Sequence, residues 1–271
     1  MISIIHQIAS QLQAVYPADE AEALAWWIAE ETTGLSRTQL LCGCKGTKKI
    51  PNTQDIINRL LHFEPIQYIF GHTLWGGLDL KVTPATLIPR PETAELVEKI
   101  THLPFPITNH PLRLLDIGTG SGCIAIALKK HHPEWEVTGI DISAEAIEVA
   151  KENAQRNKVK VAFEVADICD LNGSFDVIVS NPPYICEKEK KAMRPNVLDF
   201  EPASALFVPD DDPLLFYRTI AEKHLGRYLF FEINEAYPEQ MRAMLRASGY
   251  TDIQITADSY GKARILQALS I

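Results

Sequence analysis

The sequence predicts an α/β protein in which a doubly wound, mostly parallel sheet follows a small helical N-terminal domain. Strand-like and helix-like segments alternate after Arg113, a glycine-rich segment follows the first of these strands, and the residues before Pro65 have helical periodicity. The 271 residues are enough for two domains. We assign 1–84 to a helical, substrate-docking domain with a β-hairpin linker, and 85–271 to the α/β domain.

The N-terminal segment is predicted to form four short helices. Apolar residues recur at helical spacing from Ile4 to Leu12, and a second pattern of this kind starts near Ala18. Shorter helices are predicted to begin at Ser36 and near Thr53. A small bundle of this type can dock a macromolecular substrate, or it can serve only as a folding partner for the second domain.

The pattern changes to β-like after Pro65. One run extends from Ile66 to Gly71, and a second, with alternating apolar residues at its end, extends from Leu74 to Val82. We expect these two runs to pair as a hairpin that links the domains. Prolines on either side of Arg90 predict a stiff connection before a helix at about 92–100.

The α/β domain is predicted from alternating segments, with a terminal hairpin around Ser259-Tyr260-Gly261. Strands are predicted at 114–117, 136–141, 159–165, 175–180 and 227–233, helices at 121–130, 144–157, 213–224 and 238–248, and the hairpin strands at 253–256 and 264–268.

Composition limits the classes of function. A formal net charge of -9 argues against a protein that binds mainly to phosphate backbones, so no nucleic-acid partner is expected. The sequence has no apolar run of transmembrane length and no signal peptide, so we expect a cytoplasmic protein without a membrane partner. Cys42-Gly43-Cys44 has no second ligand pair at metal-binding spacing, and no metal site is predicted.

A glycine loop, Gly118-Thr119-Gly120-Ser121-Gly122, follows the first strand of the α/β domain. Glycines allow a ligand to approach the backbone closely, and the N-terminus of the following helix offers free N–H groups, so a nucleotide-like ligand is indicated. Asp141 ends the next strand, where a carboxylate holds ribose hydroxyls in dinucleotide folds. Cys123 stands where the dehydrogenase fingerprint requires glycine, which argues against NAD.

A second motif, Asn181-Pro182-Pro183-Tyr184, follows the β-branched run from Val177 to Val179. Proline cannot continue a central strand, so Asn181 is expected at a strand's carboxyl end, where open α/β sheets bind ligands. The Asn181 side-chain oxygen and backbone carbonyls could accept hydrogen bonds from a planar NH₂ group, and Tyr184 could stack on it. An ordinary turn after a strand would have the same residues.

The two motifs together resemble class I S-adenosylmethionine-dependent methyltransferases, which have a Rossmann-like fold. The acidic residue and Gly-x-Gly-x-Gly loop are similar to the first motif of that class, and the Asn-Pro-Pro-Tyr tip resembles its amino-group-methylating branch. Further stretches are similar to the PrmC/HemK family, which methylates a glutamine of peptide-chain release factors. These stretches are 64–71, 87–93, 201–206 and 261–264.

The resemblance implies transfer of methyl from S-adenosylmethionine, with S-adenosylhomocysteine as product, to the glutamine of a release factor's Gly-Gly-Gln motif. It implies that Asn181, Pro182 and Tyr184 act in catalysis and that Pro183 joins them in binding the substrate. Asp141 would bind the cofactor's ribose, and Asp167 and Ile168 would lie against its adenine. The implied cofactor-binding residues are Gly118, Thr119, Gly120, Ser121, Gly122, Asp141, Asp167, Ile168 and Asn181.

Two other functions remain open from the sequence. An adenine methyltransferase acting on nucleic acid would use the same grip on an exocyclic NH₂ group, although the acidic composition argues against it. A cofactor-binding scaffold without activity would have no need of the Asn181 to Tyr184 tip. Arg90, Glu92 and Glu201 lie in family-like stretches, where they could form an ion pair or remain as solvated surface charges.

Overall fold

A computed structural model describes residues 2–44, 53–106 and 110–270 of the chain. The chain divides into two compact units, Met1–Gly71 with Arg194–Phe200, and His72–Met193 with Glu201–Ile271. No helix within these described ranges is long and apolar enough to cross a membrane.

The first unit is helical, which confirms the four predicted helices. Ser36 caps the third of them in a capping box with Gln39, and Gly34, in the left-handed conformation, ends the second. The apolar faces of five helices pack into one core. The helices are α1 (Ile2–Leu12), α2 (Ala18–Thr33), α3 (Arg37–Leu41), α4 (Thr53–Leu61) and α5 (Ile66–Phe70), joined by α9 (Pro195–Leu198) from later in the chain.

The fifth helix corrects the predicted hairpin. The run after Pro65 is helical, not a strand, because Pro65 precedes it with φ −58° and Gly71 ends it in the left-handed conformation with φ 74°. The hairpin lies wholly within the second predicted run, where His72–Trp75 pairs antiparallel with Leu78–Lys81. Its turn is formed by Gly76 and Gly77, whose positive φ angles of 54° and 74° suit a two-residue hairpin turn.

The second unit confirms the alternation of strands and helices. The strands predicted at 136–141 and 175–180 have those bounds, and most others shift by a few residues. In chain order its elements are β1 (His72–Trp75), β2 (Leu78–Lys81), α6 (Pro91–Thr101), β3 (Arg113–Ile117), α7 (Cys123–His131), β4 (Glu136–Asp141), α8 (Ala144–Arg156), β5 (Ala162–Val165), β6 (Phe175–Ser180), β7 (Ile185–Cys186), β8 (Phe207–Val208), α10 (Leu215–Glu222), β9 (Gly226–Glu232), α11 (Pro238–Ala247), β10 (Tyr250–Ala257) and β11 (Ala263–Ser270).

Seven of these strands form one sheet in the order β10-β11-β9-β6-β3-β4-β5. The strands from β9 to β5 in this order pair in parallel, and the terminal hairpin of β10 and β11 adds to β9 antiparallel. Separate apolar clusters cover the two faces of the sheet, with Val177 and Val179 in one and Ile178 in the other. The fold is therefore the predicted doubly wound, mostly parallel sheet.

The segment between β6 and α10 contains elements that the sequence did not predict. Strands β7 and β8 pair in parallel as a separate two-stranded sheet, and short 3₁₀ turns occupy 187–192 and 203–205. Each of these strands is two residues long, too short to produce a recognisable period in the sequence.

Asn153 connects the hairpin to the sheet domain from the buried face of α8. Its side chain is fully buried, and its Oδ1 accepts a hydrogen bond from Lys81 N at 2.6 Å. Its Nδ2 donates to the Lys81 carbonyl at 2.9 Å and to the Ser121 carbonyl at 2.8 Å. One amide thereby fixes β2 against α8 and also holds the glycine loop in place.

We expect Asn153→Ala to lower the free energy of unfolding by about 2 to 5 kcal/mol, because three backbone groups lose buried partners. Urea denaturation measures this loss. Asn157→Ala is the matched control, since the half-buried Asn157 also donates to a hairpin carbonyl, that of Asp79, at 2.9 Å. Water can replace that bond, so equal losses in the two variants would contradict the role of Asn153.

Candidate active site

The parallel register brings the ends of three strands to one edge of the sheet. Ile117 of β3 is paired with Ser180 of β6, and Ser180 is paired with Phe231 of β9. The Ser180 hydroxyl also donates to the Ile117 carbonyl at 2.7 Å, which fixes the last residues of these two strands together. The glycine loop, the Asn-Pro-Pro-Tyr tip and Glu232 therefore start side by side at this edge.

The three glycines of the loop have two different roles. Gly118 and Gly120 have φ angles of 68° and 54°, and a Cβ added at either would meet no heavy atom within 4 Å. Gly122, with φ 80°, is enclosed, because an added Cβ would lie 3.0 Å from Ile126 and 3.1 Å from Phe163. The first two glycines leave the backbone open to a ligand, whereas the third allows the helix to pack closely.

Asp116 holds the loop from beneath. Its Oδ2 accepts hydrogen bonds from the Thr119 hydroxyl at 2.6 Å and from Ala125 N at 3.3 Å. Its Oδ1 is buried without a hydrogen-bond partner among the described residues. Desolvation raises the pKa of Asp116 to about 7, although the bond from Thr119 opposes the rise. Thr119 and Ser121 are buried, so their side chains serve mainly to shape the loop.

Asp141, the last residue of β4, contacts the glycine loop through its carboxylate. Its Oδ2 accepts from Gly120 N at 2.9 Å, and its Oδ1 accepts from Ser143 N at 2.9 Å at the start of α8. Each carboxylate oxygen can accept a further hydrogen bond, and the side chain is only half-buried. The carboxylate is thus oriented by the backbone and retains capacity for hydroxyl donors.

A cavity of about 420 Å³ lies beyond Asp141 and is lined by Ile142, Val165 and Asp167, among others. Ile142 is largely exposed there. Asp167 is held by its own turn, in which Oδ1 accepts from Cys169 N at 2.8 Å. Ile168, predicted beside Asp167, is instead partly buried against the core of the sheet. Of the predicted pair, Asp167 lines the cavity.

The Asn181 to Tyr184 tip is tied down on both sides. Asn181 Nδ2 donates to the Thr93 hydroxyl at 3.3 Å, and Asn234 Nδ2 donates to the Tyr184 carbonyl at 3.0 Å. Pro182 is buried, and Pro183 is partly exposed. Burial raises the pKa of Tyr184, so its phenol keeps its proton and donates to Glu232 Oε1 at 3.0 Å.

Glu232 is the residue of this edge that the sequence analysis missed. Glu232 is the last residue of β9 and is 1% exposed. Its Oε2 accepts a hydrogen bond from the Thr93 hydroxyl at 2.6 Å, in addition to the bond from Tyr184. Burial raises the pKa of Glu232, while those two hydrogen bonds oppose the rise. The sequence did contain a signal for this residue, because Glu232 directly follows the apolar run 229–231. A charged residue buried at the end of such a strand needs hydrogen-bond or ion-pair partners.

Two of the charged residues noted in the sequence form an ion pair. Glu201 is buried, and its carboxylate accepts from Arg90 Nη2 at 2.6 Å and from Ile88 N at 3.2 Å. The Arg90 carbonyl in turn accepts from the Trp75 indole at 2.7 Å. These contacts fix the chain that enters α6, the helix that carries Thr93, so the pair has a structural role.

No group of three or more His, Cys, Asp or Glu side chains in the described ranges is arranged to hold a metal ion. The edge of the sheet offers hydrogen-bond acceptors, open glycine backbone and an aromatic ring.

Known proteins share this fold. Residues 96–199 match the family model described as methyltransferase small domain, and residues 3–71 match the PrmC N-terminal domain. The solved hMettl16 catalytic domain superimposes with a TM-score of 0.55 over 72% of this chain and 76% of that chain, at 19% identity. The sheet therefore has the class I methyltransferase fold.

Relatives along nearly the whole chain define the family. The release factor glutamine methyltransferase of Bacteroides thetaiotaomicron is 44% identical over 99% of both chains. The enzyme of the same name from Flavobacterium psychrophilum is 40% identical over 96% of both chains. The chain belongs to the family of release factor glutamine methyltransferases.

The buried Asp116 predicts a particular dependence of stability on pH. Its pKa is raised from the ordinary 3.8 to about 7, so the folded protein keeps a proton that the unfolded chain loses above about pH 4. The free energy of unfolding should therefore fall as pH rises from about 4 to about 7, by an amount on the order of 4 kcal/mol from this group.

We expect Asp116→Asn to remove that contribution, because asparagine does not titrate. Urea denaturation of both proteins across this pH range gives the difference in their unfolding free energies. If the new amide lowers stability by the same amount at every pH, the difference between the two unfolding free energies is shifted by a constant, and its dependence on pH is unaffected. A difference that does not change with pH would contradict the raised pKa.

Proposed function

We propose that this chain transfers a methyl group from S-adenosylmethionine to the side-chain nitrogen of the glutamine in the Gly-Gly-Gln motif of peptide-chain release factors. The observation that carries the proposal is the tip after β6, where Asn181, Pro182 and Tyr184 present acceptors and a ring at the carboxyl edge of the sheet. Membership of the glutamine methyltransferase family supports this acceptor. The reaction belongs to translation, so we place the chain in the cytoplasm.

The edge of the sheet suits the cofactor. The open backbone at Gly118 and Gly120 allows close approach, and Asp141 retains acceptor capacity for ribose hydroxyls. When bound, S-adenosylmethionine supplies a methyl group activated by a positively charged sulfonium sulfur. We assign its methionine part to 118–122, its ribose to Asp141 and its adenine to the cavity beside Asp167, with Ile168 packed behind that residue and Asn181 near the methyl group.

The substrate amide needs orientation, since its nitrogen lone pair is delocalised into the carbonyl. We assign the Asn181 side-chain oxygen and the Pro182 carbonyl as acceptors for the two amide hydrogens. Tyr184 packs on the amide plane, its ring fixed by the hydroxyl bond to Glu232. Pro183 provides the adjoining partly exposed wall. These contacts aim the amide nitrogen and exclude water from its other side.

Orientation of this kind supplies much of the rate. Holding two reactants in line can remove roughly 7 to 11 kcal/mol from a barrier. Buried Pro182 and the tied Tyr184 make the tip rigid, so the acceptors need little reorganisation during the reaction. The proposed methyl transfer requires no strong general base.

We assign release-factor docking to the N-terminal domain. Residues 3–71 match the PrmC N-terminal domain, which accompanies the methyltransferase domain in this chain. The assigned substrate is a protein, and a separate helical unit offers a surface for contacts away from the reacting glutamine. The proposed function thus involves both domains. It includes no nucleic acid and no membrane as partner.

Labelled S-adenosylmethionine tests the function directly. The purified chain is incubated with a release factor, with the same factor carrying a substitution of the Gly-Gly-Gln glutamine, and with duplex DNA and RNA. We expect label on the unaltered factor alone. Label on nucleic acid would instead show an adenine methyltransferase, and no label on any acceptor would favour a scaffold without activity.

We expect Asn181→Ala to lower methyl transfer by at least about 100-fold, because the oriented acceptor for the amide is lost. Binding of S-adenosylhomocysteine, measured by calorimetry, should stay within about threefold of the unaltered protein, a change of under 1 kcal/mol. Asn157→Ala serves as control, since that amide contacts the hairpin. Equal loss of binding and transfer in the Asn181 variant would refute the role of its side chain in catalysis.

A further inference from the structure

A chain of three polar side chains runs inward from the tip. Asn181 Nδ2 donates to Thr93 Oγ1 at 3.3 Å, and the Thr93 hydroxyl donates to Glu232 Oε2 at 2.6 Å. Asn181 directly follows β6, Thr93 lies in α6 and Glu232 ends β9, so their meeting is a product of the fold. The outer bond is the longer of the two.

The donor-to-acceptor direction of these hydrogen bonds is fixed by Glu232 at their buried end. An ionised carboxylate can only accept hydrogen bonds, and Glu232 accepts from both Thr93 and Tyr184. The hydroxyl proton of Thr93 is committed to Glu232, so its oxygen can only accept from Asn181. The amide of Asn181 must then turn its nitrogen inward and its oxygen outward.

The surroundings of Glu232 keep this direction from reversing. The side chain is 1% exposed, so water has little access to compete for its oxygens. Burial raises the pKa of Glu232, as does the charge of Glu92, whereas the hydrogen bonds from Thr93 and Tyr184 and the charge of Arg264 oppose that rise and favour the ionised carboxylate. Arg264 is itself anchored, with Nε donating to Asp258 at 3.2 Å.

We infer that Glu232 and Thr93 are positioning residues that set the orientation of the Asn181 amide, so that its oxygen faces the substrate. The inference rests on the proposed function, in which that oxygen accepts a hydrogen from the glutamine NH₂ group. A reversed Asn181 would present its own NH₂ group, and two donors would face each other. The chain of hydrogen bonds thus selects one of two nearly isosteric states of the amide.

Thr93→Val tests the inference, because valine keeps the shape of threonine and lacks the hydroxyl. We expect kcat for methyl transfer to the release factor to fall about tenfold or more, as after loss of a buried hydrogen-bond partner. The KM for the release factor and the affinity for S-adenosylhomocysteine should stay near those of the unaltered protein, since other residues make those contacts. Thr93→Ser, which restores the hydroxyl, should recover most of kcat.

Tyr217→Phe is the matched control for a lost hydroxyl beside Glu232. The fully buried Tyr217 donates to the main-chain carbonyl of Glu232 at 2.9 Å and not to its carboxylate. Its loss should lower the melting temperature and leave kcat within about twofold, a change of under 1 kcal/mol. A kcat loss in this variant equal to that of Thr93→Val would show that any disturbance of β9 suffices and would overturn the inference.

The remaining outcomes separate this inference from the proposed function. Unaltered kcat in Thr93→Val, or failure of Thr93→Ser to recover activity, would overturn the positioning role while the function stands. A parallel loss of cofactor affinity would show a general structural role and would also overturn it. No transfer by the unaltered protein to the Gly-Gly-Gln glutamine would overturn the proposed function, and this inference with it.

Discussion

The parallel pairing of β3, β6 and β9 is the constraint on which the rest of the site depends. Because the three strands run in one direction and end in register, the residues that follow them must share one edge of the sheet. A shift of one residue in β6 would turn Ser180 and its neighbours to the opposite faces of the sheet. The apolar residues of 177–179 pack on both faces and so determine where the polar residues stand.

Two buried carboxylates organise this edge in similar ways. Asp116 collects a hydroxyl and a backbone N–H beneath the glycine loop, and Glu232 collects two hydroxyls beneath the tip. In both cases an acceptor with little access to water fixes the direction of the donors around it. Both groups have a raised pKa because of burial, which shows that this order is obtained at some expense in stability.

Local sequence was sufficient where one signal acted alone. The β-branched run before Pro182 predicted both bounds of β6 correctly. The glycine-rich motif was correctly predicted to follow the first strand of the α/β domain, which is β3. The helix at Ile66–Phe70 was missed because β-like residues competed with Pro65 and Gly71, and the terminal signals prevailed. Glu232 was missed because its partners Thr93 and Tyr184 lie 139 and 48 residues away, and only the folded chain brings them together.

The first compact unit is discontinuous along the chain, since Arg194–Phe200 completes it. Arg194 donates to both carboxylate oxygens of Glu20, at 2.9 and 3.0 Å, within this unit. During synthesis on the ribosome, the helices at the N-terminus emerge long before the segment that completes them, with β1 to β7 translated in between. The unit therefore reaches its final form late in translation, and a gene fragment ending at Gly71 would encode an incomplete module.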